Sequence, residues 1–254
     1  MINLQRENEP VTPRAFELPF DRYALRGDEY ETGCRTIVLH GAGKSSRARF
    51  SRLRKSLNDN GMSSVSFDFV GHGETGGNLL GSTLRGRTDQ AEAVIRHACI
   101  EPLTLIGVSM SGYTAIKLTE RFDVDNLVLL VPAVYTPQAY DIPFGPLFSA
   151  AIRVSGSWQD SDAFTILSGF TGNLLIIAAE FDHVIPREVI ERIQDSATNA
   201  AVRRLHIVPG SGHLSLFPRE QDFLSALGMI TDVCRSGWEN NRLAEPGQIR
   251  MASH

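Results

Sequence analysis

Short β-branched runs alternate with longer amphipathic segments along most of the chain. Thr36-Ile37-Val38-Leu39-His40 predicts a strand ending at the turn Gly41-Ala42-Gly43. Residues 46–60 predict a helix, because Phe50, Leu53 and Leu57 recur at helical spacing and Asn60-Gly61 supplies a C-terminal stop. The next strand, 64–69, breaks at Gly71-His72-Gly73, and a second helix at 88–99 carries Ala91, Ile95 and Ala98 on one face with Pro102 beyond its end. Residues 103–108 form a strand feeding directly into a helix from 110 to about 121. Further strands fall at 126–131, 173–179 and 202–208, and further helices at about 187–196 and 219–235.

Runs such as Leu127-Val128-Leu129-Leu130-Val131 are apolar at successive positions, which suits strands buried on both faces of a parallel sheet. Alternation of strand and helix then covers that sheet on both sides, an α/β architecture. The first part of the chain differs: 14–20 and 21–31 suit an antiparallel pair at one sheet edge. Residues 132–172 interrupt the rhythm and hold Pro132, Pro137, Pro143 and Pro146, and the stretch from about 239 to 254 is polar and expected to be loosely ordered.

At 254 residues the chain is long enough for one large core, and a single domain over 1–254 is the expectation. Lys plus Arg number 25 against 29 Asp plus Glu, a balance that gives no reason to expect nucleic acid. Cys34, Cys99 and Cys234 are few and far apart in sequence, with no Cys/His spacing for zinc, so neither a metal site nor a disulfide scaffold is expected. No apolar run approaches the ~20 residues of a membrane span. Residues 1–10 carry no signal-peptide core, so a cytoplasmic protein with no membrane partner is expected.

The sharpest chemical feature is Leu105-Ile106-Gly107-Val108-Ser109-Met110-Ser111-Gly112. It sets a serine between a buried strand and a helix, with small residues two positions before and after. Such residues let strand and helix approach while the hydroxyl projects from the turn. This resembles the G-x-S-x-G nucleophile elbow of the α/β-hydrolase superfamily. The departure is Ser111, which stands where that pattern has its second glycine; serine is still small, and Gly112 follows.

A serine needs a base to take its proton. His213, in Pro209-Gly210-Ser211-Gly212-His213, follows a strand, where ligand chemistry sits in an open α/β sheet. His206 lies inside that strand and reads as a packed histidine. The loop Glu180-Phe181-Asp182-His183-Val184-Ile185-Pro186 offers two orienting carboxylates; Asp182 resembles the superfamily's acid, and Glu180 reads as a packing or capping residue. The order Ser109, Asp182, His213 is the superfamily's order.

The resemblance further implies an oxyanion hole from the amides of Met110, after the nucleophile, and Ala42, in the HGxG-like turn His40-Gly41-Ala42-Gly43. His40 reads as structural. Asp68-Phe69-Val70-Gly71-His72-Gly73 resembles the D-x-x-G-x-G turn after the fourth strand and reads as architectural.

Two features bear on substrate. Residues 132–172 stand where the superfamily inserts a cap, here a short one, with Tyr135, Tyr140, Phe144, Phe148 and Trp158. These aromatics either wall the space over the serine or fill the cap's own core. Lys44, Arg47, Arg49, Arg52, Arg54 and Lys55 form a run of cations without an acid. It reads as a solvated helix face, with a dock for an anionic partner such as coenzyme A phosphates or an acyl carrier protein as the second reading.

The sequence thus predicts an α/β-hydrolase fold with a mostly parallel central sheet, helices on both faces and a short cap. The resemblance implies a serine hydrolase cleaving a small-molecule carboxylic ester or thioester through an acyl-serine intermediate, with no cofactor and no metal. A peptidase, a carbon–carbon bond hydrolase, a lyase or a perhydrolase would use the same triad, and a slow or non-enzymatic ligand receptor would keep the fold.

Overall fold

A computed structural model describes residues 11–244. Residues 1–10, read above for a leader, and 245–254 of the polar tail lie outside the described residues. Eight strands form one sheet: β1 (Arg14–Phe20), β2 (Tyr23–Glu29), β3 (Cys34–Leu39), β4 (Ser64–Phe67), β5 (Cys99–Val108), β6 (Val124–Leu130), β7 (Asn173–Ala179) and β8 (Val202–Val208). Their spatial order is β1-β2-β4-β3-β5-β6-β7-β8. The hairpin β1–β2 is antiparallel and joins β4 antiparallel at one edge, and all remaining pairs are parallel. The sheet is the mostly parallel one expected, down to the antiparallel edge.

The doubly apolar strands explain the layering. Leu127 and Leu129 face one side of the sheet with Leu105 and Ile176, and Val128 and Leu130 face the other with Ile106 and Ile177. The second side is covered by α1 (Ser51–Asp59) and α7 (Glu220–Ala244), through Leu53, Leu57, Phe223, Ala226 and Ile230. The first is covered by α2 (Leu84–Ala98), α3 (Ser111–Leu118) and α6 (Arg187–Ser196), together with the cap. Removing these side chains from water is the main force holding helices to sheet.

Several boundaries differ from the sequence reading. The 46–60 helix is a 3-10 turn, Arg47–Phe50, followed by α1. Helix α2 starts earlier, at Leu84, because the Thr83 hydroxyl accepts from the Gly86 amide at 2.9 Å and caps it. Strand β5 begins at Cys99, upstream of Pro102, and the pairing slips between Leu103 and Thr104 to accommodate this. Helix α7 runs on to Ala244, into the stretch expected to be loose, since no proline interrupts it before Pro246. Cys34 and Cys99, distant in sequence, are paired across β3 and β5 with their free thiols 3.8 Å apart. Among the described residues no helix is long and apolar enough to cross a membrane.

The interruption at 132–172 folds as a 3-10 turn and two short helices, α4 (Pro146–Arg153) and α5 (Ala163–Gly169). Its aromatics pack on one another: Phe144 on Phe148, Phe148 on Tyr135, Tyr135 and Tyr140 on Tyr113, and Trp158 on Phe164.

Candidate active site

Strand β5 ends at Val108, and Ser109, the next residue, holds a left-handed backbone, φ 51°. A side chain rarely adopts this conformation, and it is the tight strand-to-helix turn that the small neighbours predicted. The turn is tied from both sides: the Ser109 amide donates to Leu130 O at 2.9 Å, and its carbonyl accepts from Gly112 at 2.8 Å and Ala133 at 3.0 Å. Gly107 has no room for a side chain, since a Cβ there would lie 2.4 Å from Ser111 O. Gly41 passes over the serine so closely that its Cβ would stand 3.2 Å from that of Ser109.

The loops after β7 and β8 bring the other two residues in. Phe181 N donates to Ser211 O at 2.8 Å, and Gly210 N to Glu180 Oε2 at 2.7 Å, so the two loops are laced together. On that base His213 Nε2 lies 2.9 Å from Ser109 Oγ, and His213 Nδ1 lies 2.8 Å from Asp182 Oδ2. Asp182 Oδ1 accepts from the amides of Val184 at 2.8 Å and Ile185 at 2.9 Å. Burial pushes the Asp182 carboxyl up, but the hydrogen bonds from His213, Ile185 and Val184 outweigh it and hold the pKa below its ordinary value. The carboxylate can therefore receive Nδ1–H, which leaves Nε2 free to accept the serine proton. Glu180 takes the capping position that the sequence suggested and does not reach the histidine.

Ala42 is exposed on the turn beside Ser109, and Met110 opens α3 directly after it. The His40 ring is buried: Nδ1–H donates to Gly41 O at 2.7 Å, and Nε2 accepts from Phe69 N at 3.2 Å. Burial, aided by the nearby Arg87 cation, pushes its pKa down to about 2, so it is a neutral structural group. Asp68 is architectural too: it accepts from Arg47 N at 2.7 Å and Glu74 N at 3.0 Å, and pairs with the Arg47 guanidinium. A Cβ at Gly73 would collide with it.

A cavity of about 330 Å³ opens at Ser109 and His213. It runs between the Gly41-Ala42 turn, α1 and the start of α7, lined by Phe50, Leu53, Leu130, Leu216, Phe217 and Phe223. None of the five cap aromatics lines it: Tyr140, Phe144 and Phe148 are buried in the core, and Tyr135 and Trp158 border a separate cavity between the cap and the loop before α6. The sequence left open whether the cap aromatics wall the serine, and Phe217 and Phe223, which line the cavity, carried no motif to single them out.

The cation run does not form one solvated face. Arg54 is buried on Ser64 and Asp28, and Arg47 is largely buried among Asp28, Asp68 and Glu74, because the 3-10 turn and α1 bring these positions against β2, β4 and the loop after β4. Lys55 pairs with Asp59 on the surface. Arg49 and Arg52 line the cavity, where Arg52 stacks on Phe223 at 3.9 Å and pairs with Glu220 of α7, and Arg49 donates to Leu214 O at 2.7 Å. No carboxylate is among the residues lining this cavity. Among the described residues no cluster of His, Cys, Asp and Glu could hold a metal ion.

The sequence model of the serine aminopeptidase family, S33, matches residues 34–159. No curated protein matches the chain in sequence. Solved structures do match in fold. Alpha/beta hydrolase domain-containing protein 10 from mouse is 13% identical and superimposes with a TM-score of 0.67 over 88% of this chain and 99% of its own. An esterase from Exiguobacterium antarcticum is 18% identical, with a TM-score of 0.63 over 83% and 96%. Est1E from Butyrivibrio proteoclasticus is 16% identical, with a TM-score of 0.64 over 89% and 99%. Sheet order, the tight strand-to-helix turn at Ser109 and the structural neighbours together give the chain the α/β-hydrolase fold, and the family match over 34–159 is a similarity in keeping with it.

Proposed function

We propose that the protein is a serine hydrolase that cleaves a carboxylic ester or thioester through an acyl-serine intermediate. The observation carrying this reading is the unbroken relay from Ser109 Oγ to His213 Nε2 at 2.9 Å and from His213 Nδ1 to Asp182 at 2.8 Å. In this reading Ser109 Oγ attacks the carbonyl carbon while His213 Nε2 takes its proton. The electron pair moves onto the carbonyl oxygen, which the amides of Ala42 and Met110 receive. Collapse breaks the bond to the alkoxide or thiolate, which leaves with the proton from His213. Water, deprotonated by the same imidazole, then releases the acid and restores Ser109. Asp182 keeps the imidazole in its tautomer and stabilises its cation.

The cavity supports the substrate class. Its aromatic and aliphatic walls suit an apolar acyl group. The S33 match raises a peptidase that recognises a free amino terminus. Such a site needs a free carboxylate for the ammonium, whereas this cavity is lined by Arg49 and Arg52 and by no acid, and Glu220 beside it is already paired with Arg52. The ester or thioester reading fits better. Those two arginines are also the residues through which an acyl carrier or coenzyme A phosphates would be held.

The test is a hydrolysis screen of oxygen esters and thioesters over acyl chain length, with Ser109→Ala as control. Turnover by the wild type that is lost in a folded Ser109→Ala variant supports the reading. Turnover that persists in Ser109→Ala, or a wild-type preference for peptides with free amino termini, would overturn it.

A further inference from the structure

Arg87 on α2 is 1% exposed, and among the described residues no carboxylate pairs with it. Its guanidinium lies over the Phe69 ring at 3.7 Å, and Nε and Nη1 make no hydrogen bond. A buried guanidinium without a counter-ion is costly, and an apolar side chain of similar length would spare that cost. Its contacts show what it does instead.

All its hydrogen bonds converge from Nη2 on the turn that approaches Ser109. Nη2 donates to His40 O at 2.7 Å, to Gly41 O at 3.4 Å and to Ser111 Oγ at 2.9 Å. Ser111 Oγ in turn donates to His40 O at 2.6 Å. The cation and the hydroxyl thus lock α2, the start of α3 and the turn after β3 to one another. Ser111 is the residue that departs from the G-x-S-x-G pattern, and its side chain is used here rather than merely tolerated. The Gly41 carbonyl and the Ala42 N–H share one planar peptide and point in opposite directions. Gly41 O is held by His40 Nδ1–H at 2.7 Å and by Arg87 at 3.4 Å, while Arg87 fixes the preceding peptide through His40 O, and holding this carbonyl turns the Ala42 amide to the opposite side.

We propose that Arg87 is a positioning residue: with Ser111 it pins the His40–Gly41 backbone so that the Ala42 amide is preset to receive the oxyanion. This rests on the hydrolase reading above and deepens it, since the residue acts through the turn and never touches substrate. A preset donor stabilises charge that develops only in the transition state, so its loss lowers kcat more than it raises KM.

The experiment compares wild type, Arg87→Met, Arg87→Lys, Ser111→Ala and the double variant Arg87→Met/Ser111→Ala. Each is measured for melting temperature, for kcat and KM on a short-chain ester, and for amide hydrogen exchange of 40–46. Arg87→Met should melt no lower than wild type, keep KM within about twofold and lose roughly 10- to 100-fold in kcat, below the loss of a whole oxyanion donor. Arg87→Lys should recover part of that loss, and the double variant should be little worse than Arg87→Met, as for residues acting as one unit. Exchange of 40–46 should rise at least tenfold in Arg87→Met and Ser111→Ala, with the sheet unchanged. A stable Arg87→Met with wild-type kcat, or unchanged exchange of 40–46, overturns the proposal. If Arg87→Met does not fold, exchange in Ser111→Ala, which lacks one oxygen only, decides it in the same two directions. A wild type without ester turnover would sink the hydrolase reading, while exchange would still decide whether Arg87 and Ser111 hold the turn.

Discussion

Asp182 meets His213 Nδ1 at 2.8 Å, while Glu180, two residues earlier on the same loop, turns away to accept from the Gly210 amide. Two acids on one loop thus do different work, and the difference is measurable. Asp182→Asn should lower kcat by about 10³- to 10⁴-fold, because the amide imposes the wrong imidazole tautomer. Glu180→Gln, which can still accept from Gly210, should cost less than about tenfold. The depressed Asp182 pKa carries a further consequence: its stabilising contribution is fully present above the ordinary carboxylate value of about 3.9 and is lost as pH falls through the lower folded value. Melting temperature against pH should therefore fall less steeply below about pH 4 in Asp182→Asn than in wild type. Parallel acid limbs, or equal kinetic losses at the two acids, would move the role to Glu180.

Ser109 is strained by its positive φ, and glycine has no such penalty. Ser109→Gly should therefore be at least as stable as Ser109→Ala in thermal unfolding, although glycine elsewhere costs about 0.5–1 kcal/mol relative to alanine. Both should be inactive. An alanine variant more stable than the glycine one would show that the turn is relaxed.

The cations separate into two groups. Arg47→Gln leaves the buried Asp68 without its cation and should cost about 3 kcal/mol in denaturant unfolding. Neutralising Arg49 and Arg52 should instead leave stability nearly unchanged and raise KM for an acyl-coenzyme A, with little effect on a neutral ester of the same acyl group. That effect should shrink with salt, as the Debye length falls from about 10 Å at 0.1 M to about 3 Å at 1 M. Equal, salt-insensitive changes on both substrates would remove the anionic carrier from the account.

Cap and cavity should respond in opposite ways. Phe148→Ala, in the cap's aromatic cluster, should cost about 3–5 kcal/mol and leave acyl preference unchanged. Phe217→Ala enlarges the cavity at Ser109 and should shift the preferred ester toward longer chains. A shifted preference in Phe148→Ala alone would return the acyl group to the cap side.

The sheet was legible because its strands are apolar at successive positions, and 173–179 and 202–208 coincide with the observed strands. The three residues that the fold brings together at the candidate site stood out where backbone chemistry is demanding: a serine between small residues, and loops directly after strands. Ion-pair partners were not legible. Arg47 and Arg54 look like surface residues until tertiary packing brings Asp28 and Asp68 to them. The cavity wall escaped for the same reason, since Phe217 and Phe223 come from the opposite end of the chain to Phe50 and Leu53. Arg87 was not legible either, since the sequence reading begins the helix at 88; only the observed start at Leu84 puts Arg87 in the apolar stripe of α2, three residues after Leu84 and four before Ala91. A cation in that stripe marks a buried polar contact.

The central claim is that Ser109 carries the acyl group. The most direct measurement is mass spectrometry of the enzyme acid-quenched during turnover of a p-nitrophenyl ester. The account predicts one acyl adduct per chain, on the peptide containing Ser109, absent from Ser109→Ala and accumulating in proportion to a burst of p-nitrophenolate. Turnover without an adduct, or an adduct on another residue that persists in Ser109→Ala, would contradict it.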